Sequence, residues 1–368
     1  MDFWKNLRIH VIVLNRVLGV LEADDSAFFY TCSVNEVKNM NIAEIAKMAG
    51  VSSAAVSRYF NNGYISEEKR QAIKKVVDET GYRPSAQAQT LRTKKTKMIG
   101  VILPRINSPA MGSVVSGILN ILDQNDYRLL LANTQNNLKK EIEYLEFFSD
   151  KQVDGIIFAA TVFTGKHKKI LKNLRIPIVI VGQKLPGYHC IYNDDYHAAY
   201  DLTKLMIEQG RTKLAYIGVF ELDEAAGLER HTGFLSAAKE AGLDEVDQRY
   251  EIAAFTIESG YEKTKELMEM YPDTNGIVCA TDYIAVGAMK YLAEHGIRVP
   301  EEVMVAGHGD SDMSQVTTPG LTTVHFAYEK NGILAARMIL DMISGKEQDI
   351  KEMKLDYSLI VRDSTREK

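Results

Sequence analysis

The chain has 368 residues, 46% apolar and 25% charged, a globular composition too long for one ordinary domain. Its three cysteines, Cys32, Cys190 and Cys279, are far apart and form no CxxC pair, which argues against a disulfide framework or a zinc site and fits a reducing cytoplasm. The net charge of -5 is unevenly spread: residues 40–98 hold eleven Lys/Arg against five Asp/Glu, and residues 99–368 hold twenty-nine against thirty-nine, so a basic head precedes an acidic body.

Residues 1–39 contain one apolar stretch, 7–21, interrupted by Arg8, His10, Asn15 and Arg16. It is too short and too polar to span a bilayer and lacks a small-residue cleavage site. The segment is expected to be a translated leader ahead of a start at Met40, because Glu36-Val37-Lys38 is encodable by a stretch resembling a ribosome-binding site.

Asn41 with Glu44 three residues on forms a capping box, and Ile42, Ile45, Ala46 and Ala49 give a helical apolar stripe ended by Gly50. Ser52 caps a second helix running to about Phe60. Two short helices joined through Ala-Gly-Val-Ser predict a helix-turn-helix. Ser66 caps a third helix, 67–80, with Ile73, Val76 and Val77 inward and Gly81 as its stop. The second helix offers Ser53, Ala54, Ser57, Arg58 and Asn61 on its outer face, small or polar groups that suit a major groove. A plain surface helix in a bundle is the alternative for such a helix alone.

Pro84 breaks the chain before Ser85-Ala86-Gln87-Ala88-Gln89-Thr90-Leu91-Arg92. So short a run of helix formers holds a helix only against a partner, and paired hinge helices on a minor groove would bring Leu91 to a base step as a wedge. A flexible linker is the alternative.

Taken in order, Ile45-Ala46-Lys47-Met48-Ala49-Gly50-Val51-Ser52, Val56-Ser57-Arg58, Asn61, Gly81-Tyr82-Arg83-Pro84 and Leu91-Arg92-Thr93 resemble the lac/gal repressor family over residues 40–368. The resemblance implies a homodimer on pseudo-palindromic double-stranded operator DNA. It places Ser52, Ser53, Ala54, Ser57, Arg58, Asn61, Tyr82, Gln89 and Leu91 at the DNA. Ser53 and Ala54 are smaller than their counterparts in some relatives.

Beyond Met98, apolar runs at 99–103, 129–131, 155–158, 178–181, 215–218, 276–279 and 303–306 alternate with helical patterns at 114–122, 142–148, 198–209 and 285–295. That alternation predicts doubly wound parallel sheets with ligands at the carboxyl ends of the strands. The resemblance implies an α/β two-lobed, periplasmic-binding-protein-like core behind an all-α helix-turn-helix head. The expected boundaries are 40–84 for the head, 85–97 for the hinge and 98–368 for the body. Lobe 1 would comprise 98–192 with 326–345, and lobe 2 193–325 with 346–368, the chain crossing three times.

Asp282 opens a helix at a strand end; alone it reads as an N-cap, but Ala280-Thr281-Asp282 is similar to the family's Asn-Asp ligand motif, with Thr281 departing from it. Arg230 matches the family's effector-binding arginine, a fork of donors that suits hydroxyls or a carboxylate. Phe255 aligns with an aromatic that stacks on the effector, and Phe326 is a further apolar candidate. Ser108 and Met111 lie in a loop with smaller residues than relatives carry, which suggests room for a disaccharide. Gln183 follows a strand as a polar candidate. Gly309 stands where Asp is common, and His308 before it reads as structural.

No nucleophile elbow, P-loop or zinc-protease motif appears, so no enzymatic activity, cofactor or metal is expected. The expectation is a cytoplasmic repressor of a carbohydrate operon, released from operator by a sugar and without a membrane partner. A corepressor mode is the near alternative, and a solute-binding protein without DNA function the distant one. No leucine heptads follow Val361, so a dimer rather than a tetramer is expected.

Overall fold

The computed structural model describes residues 40–61, 63–82, 95–150, 153–243, 245–346 and 349–366. They fall into two units, 40–82 and 95–366, each closing on its own core. The expected leader, and Gln89 and Leu91 of the expected hinge helix, lie outside the described residues.

The head is three helices: α1 (Ile42–Met48), α2 (Ser53–Phe60) and α3 (Glu67–Thr80). The capping box is present: the Asn41 side chain accepts from the Ala43 and Glu44 amides at 2.9 and 3.1 Å, and Glu44 returns the bond to the Asn41 amide at 2.8 Å. Ser52 caps α2 through the Ala55 amide. Gly50 and Gly81 take φ of 63° and 65°, the left-handed region that only glycine enters without cost. Ser66 stands at the N-cap of α3 but its hydroxyl makes no capping bond, a correction to the expected cap. Ile45, Ala46, Ala55, Val56, Ile73 and Val76 form the core, and Tyr82 closes it.

In the body, lobe 1 is built on β1 (Met98–Leu103), β2 (Arg128–Asn133), β3 (Gly155–Ala159), β4 (Ile178–Val181) and β5 (His189–Asn193). Its helices are α4 (Pro109–Asp123), α5 (Leu138–Ser149) and α6 (Gly165–Asn173). Lobe 2 follows with α7 (Asp195–Glu208), β6 (Leu214–Gly218), a π-helical turn at Glu224–Glu229 and α8 (Arg230–Glu240). It continues through β7 (Tyr250–Ile252), α9 (Ile257–Met270), β8 (Gly276–Cys279), α10 (Asp282–Glu294), β9 (Met304–His308), α11 (Asp312–Val316) and β10 (Thr322–Phe326). The chain then returns to lobe 1 as α12 (Tyr328–Ser344) and β11 (Glu352–Leu355), and ends in lobe 2 with β12 (Tyr357–Ile360).

The sheet orders are β11-β5-β4-β3-β1-β2 and β12-β10-β9-β8-β6-β7. Every pairing is parallel except β10 with β12. The uninterrupted apolar runs follow from this: strands covered by helices on both faces, such as β3 and β4, are buried at every position. Two lobe boundaries differ from expectation. Phe326 ends a lobe 2 strand, and β11 pairs with β5 in lobe 1, so the third crossing falls at Asp356 and not after residue 345.

Lobe 1 is sealed where α12 crosses α4. A Cβ at Gly332 would lie 2.0 Å from the Val114 carbonyl, and one at Gly117 2.1 Å from the Glu329 carbonyl, so the two backbones touch. The start of β1 is fixed by Asp154, whose carboxylate accepts from the Thr96 and Lys97 amides at 2.6 and 3.0 Å. Cys190 and Cys279 are buried in strands of different sheets, which leaves them no route to each other.

Candidate functional site

Two surfaces carry the candidate chemistry. In the head, the apolar side of α2 is used up by Ala55 and Val56, which turns the remainder of the helix outward. Ser52, Ser53, Ala54, Arg58 and Asn61 are exposed and Ser57 half-buried. The Asn61 amide donates to the Ser57 carbonyl, which closes the helix end. Tyr82 does not share this face. It is buried against Phe60, ring centroids 5.7 Å apart and edge-on, and is a core residue of the head.

In the body, the strand ends of both sheets meet around a cavity of about 190 Å³. One water needs roughly 10–15 Å³ measured this way, so the space accepts a small molecule of many atoms. Ser108, Met111, Gln183, Arg230, Phe255 and Asp282 all line it. Each follows the carboxyl end of a parallel strand, apart from Arg230, which is reached after the π-helical turn.

Most of the cavity's charged groups are held by hydrogen bonds within the protein. Arg230 donates through Nε to Asp195 Oδ1 at 2.7 Å and through a terminal nitrogen to the Ala280 carbonyl at 2.6 Å. Burial opposes its charge, but the Asp195 carboxylate wins and raises its pKa above the ordinary arginine value. Asp282 accepts the Ser311 amide at 2.7 Å and the Thr323 hydroxyl at 2.5 Å. Burial nevertheless lifts its pKa. Only glycine fits beside it: a Cβ at Gly307 would come 2.7 Å from Asp282 Oδ1. Asp223 is pushed up to about 6 by burial, against the pull of the Ala226 amide and of Arg230.

Side chains of the two lobes meet across the cavity. Gln183 of lobe 1 donates to the Thr161 carbonyl and reaches Asp223 of lobe 2 at 3.4 Å. Arg105, two residues beyond β1, lays its guanidinium over the Phe255 ring at 3.8 Å from the centroid. That is within the range of a cation–π contact.

Phe326 is not a lining residue. It is 1% exposed, packed between His308 and Tyr328, with Arg230 above its ring at 4.9 Å; its part is to support Arg230 from behind. The cavity wall also contains residues that sequence reasoning passed over: Arg105, Asn136, Thr161, Asp195, Asp223 and Tyr328. His308 belongs there too, although the sequence suggests a structural histidine. The available signal was position, since Arg105, Asn136, Thr161 and His308 stand at or just past the end of a strand.

Among the described residues there is no group of His, Cys, Asp and Glu that could hold a metal, and no helix long and apolar enough to cross a membrane.

A three-helix DNA-binding head joined to a two-lobed body with its cavity at the strand ends defines a ligand-responsive transcription regulator, a class that performs no catalysis. Comparison with known proteins agrees. Residues 41–85 match the model for bacterial regulatory proteins of the lacI family, and residues 203–365 match the periplasmic binding protein-like domain. The chain is 36% identical to the sucrose operon repressor of Staphylococcus xylosus, over 82% of this chain and 93% of that one. The solved structure of the transcriptional regulator CelR–cellobiose complex is 25% identical, covers 88% of this chain and 99% of its own, and superposes with a TM-score of 0.69. The lac repressor dimer bound to operator, at 19% identity, shares the fold with a TM-score of 0.80. The chain belongs to the lacI family of regulators.

Proposed function

We propose that this protein is a cytoplasmic, dimeric repressor of a carbohydrate-utilisation operon that leaves its operator when a sugar occupies the body cavity. The observation that carries the reading is the pairing, in one chain, of an outward-facing α2 with a cavity walled by two lobes. Ser52, Ser53, Ala54, Ser57, Arg58 and Asn61 would face DNA. Arg58 is their one charged member and suits a phosphate or a guanine edge. Ser108, Met111, Gln183, Arg230, Phe255 and Asp282 would surround the effector. The sugar class is supported by the sucrose operon repressor and by the cellobiose complex among the relatives. A second copy would find apolar surface at the edge of lobe 1, where Leu130 of edge strand β2 and Leu119 of α4 are exposed.

The mechanism follows from the cross-lobe contacts. A sugar that replaces Gln183–Asp223 or displaces Arg105 from Phe255 changes the angle at which the lobes meet. Release from DNA requires that it bind the off-DNA arrangement more tightly. The test is fluorescence anisotropy of the protein on its own upstream DNA, titrated with mono- and disaccharides and their phosphates. Release by one sugar and not by its isomers is expected. Tighter binding on addition of ligand would make the protein a corepressor-dependent regulator. Sugar binding without DNA binding under any salt would overturn the repressor reading.

A further inference from the structure

Most polar side-chain atoms on the cavity wall already have partners within the protein. Four that are shielded from solvent have none: Arg105 Nε, Asn136 Oδ1, His308 Nε2 and Ser311 Oγ. Native proteins pair the large majority of such atoms, and four gathered on one wall point to a ligand that supplies the partners. They come from both lobes, Arg105 and Asn136 beyond β1 and β2, and His308 and Ser311 at and just after the end of β9.

Their chemistry is complementary. Nδ1 of His308 lies 2.9 Å from the Cys279 carbonyl and so carries the proton, which leaves Nε2 as an acceptor. Burial, then the nearby Arg230, depress the imidazolium to about 3, so the ring stays neutral and accepting at any ordinary pH. Arg105 is purely a donor, and its guanidinium is presented flat by the Phe255 ring beneath it. Asn136 offers both ends of an amide. A ligand that meets these groups needs hydroxyls, each able to donate and to accept.

The charge balance disfavours an anion. The wall carries Arg105 and Arg230 against Asp195, Asp223 and Asp282. Arg230 is committed to Asp195 at 2.6 Å, which leaves one guanidinium facing two carboxylates. A phosphate group would meet no guanidinium that is free of a neighbouring carboxyl.

We propose that the effector is an uncharged saccharide, and that Arg105, Asn136 and His308, more than the Arg230–Asp195 pair, decide which saccharide binds. This rests on the sugar reading above and narrows it to a chemical form and to three specificity-determining side chains.

The test is calorimetric titration of the full-length protein with sucrose, cellobiose and the 6-phosphate of each. It is repeated on Arg105→Ala and His308→Phe, with melting temperature and operator affinity measured in parallel. One uncharged disaccharide is expected to bind, with its phosphate at least about tenfold weaker. Each substitution is expected to weaken that sugar by about tenfold or more while the melting temperature of Arg105→Ala is unchanged. Arg105 is half-exposed in a loop, so its variant tests the assignment even if His308→Phe unfolds. Tighter binding of a phosphorylated sugar would overturn the charge argument. Sugar affinity unchanged in Arg105→Ala would overturn the assignment of specificity. If neither sugar binds in either form while operator DNA is held, the sugar reading itself is what fails.

Discussion

Arg230 and Arg105 bring guanidinium groups to the wall of one cavity, and the fold holds them in opposite ways. Arg230, in lobe 2, is 5% exposed, bonded to Asp195 and to the Ala280 carbonyl, and backed by Phe326. Arg105, in lobe 1, rests on an aromatic ring and keeps a donor unspent. A residue can therefore line a binding cavity for the protein's own sake or for the ligand's. Residue type does not separate the two cases; the state of the hydrogen bonds does.

Breaking that comparison should begin with Arg230→Ala. Removing one partner of a buried pair leaves Asp195, 1% exposed, with an uncompensated charge, and a loss of about 3–5 kcal/mol in denaturant unfolding is expected. Arg105→Ala should cost under about 1 kcal/mol by the same measurement, because it breaks no protein hydrogen bond. Equal losses would erase the distinction.

Asp223 supplies the next largest effect. Its folded pKa of about 6 lies above the ordinary 3.8, so the native state holds its proton more tightly than the unfolded chain does. The associated stability is present below pH 4 and is lost as pH rises through 6. Relative to Asp223→Asn, the wild type should therefore lose stability between pH 4 and 7, by at most roughly 3 kcal/mol for a shift of about two units. A flat difference across that range would show that the carboxyl is solvated and the cavity more open than described.

Gly332→Ala sharpens the comparison from the side of lobe 1, whose α4 begins just after the Arg105 loop. A methyl group 2.0 Å from the Val114 carbonyl must push α12 from α4, at a cost of about 1–3 kcal/mol. Effector affinity should fall with stability, in contrast to Arg105→Ala, where only affinity falls. The smallest effect is expected in the head. Arg58→Ala, exposed on α2, should weaken operator binding about tenfold and lower the salt dependence by about one ion, with the melting temperature unchanged.

The head was far more legible than the cavity, and the reason is local. Its turn, caps and outer face lie within some twenty consecutive residues, so the capping box at Asn41 and the Gly50 turn could be read in sequence and are present in the structure. Its misreadings, Ser66 and Tyr82, are residues whose role depends on what packs against them. In the body the long apolar runs of β1, β3, β4, β6 and β8 declared themselves. The edge and mixed strands β5, β7, β11 and β12 did not, since strands such as Glu352–Leu355 carry as many charges as apolar groups. Without β11 the third crossing could not be placed. The cavity is assembled from separate loops, and no sequence pattern shows which polar atom finds a partner across a fold. Arg230 and Asp282 could be named as candidates and both line the cavity, but the bonds of Arg230 to Asp195 and of Asp282 to Ser311 and Thr323, like the unspent valence of His308, exist only in three dimensions.

Lobe 1 needs α12 and β11 to cover α4 and complete its sheet, and those residues follow the whole of β6 to β10 in the chain. On the ribosome, the first lobe therefore waits with a bare apolar flank while more than a hundred further residues are made. Such exposed surface invites aggregation until the closing segment arrives. The time between the synthesis of Asp123 and that of Tyr328 is the interval in which that flank has no cover.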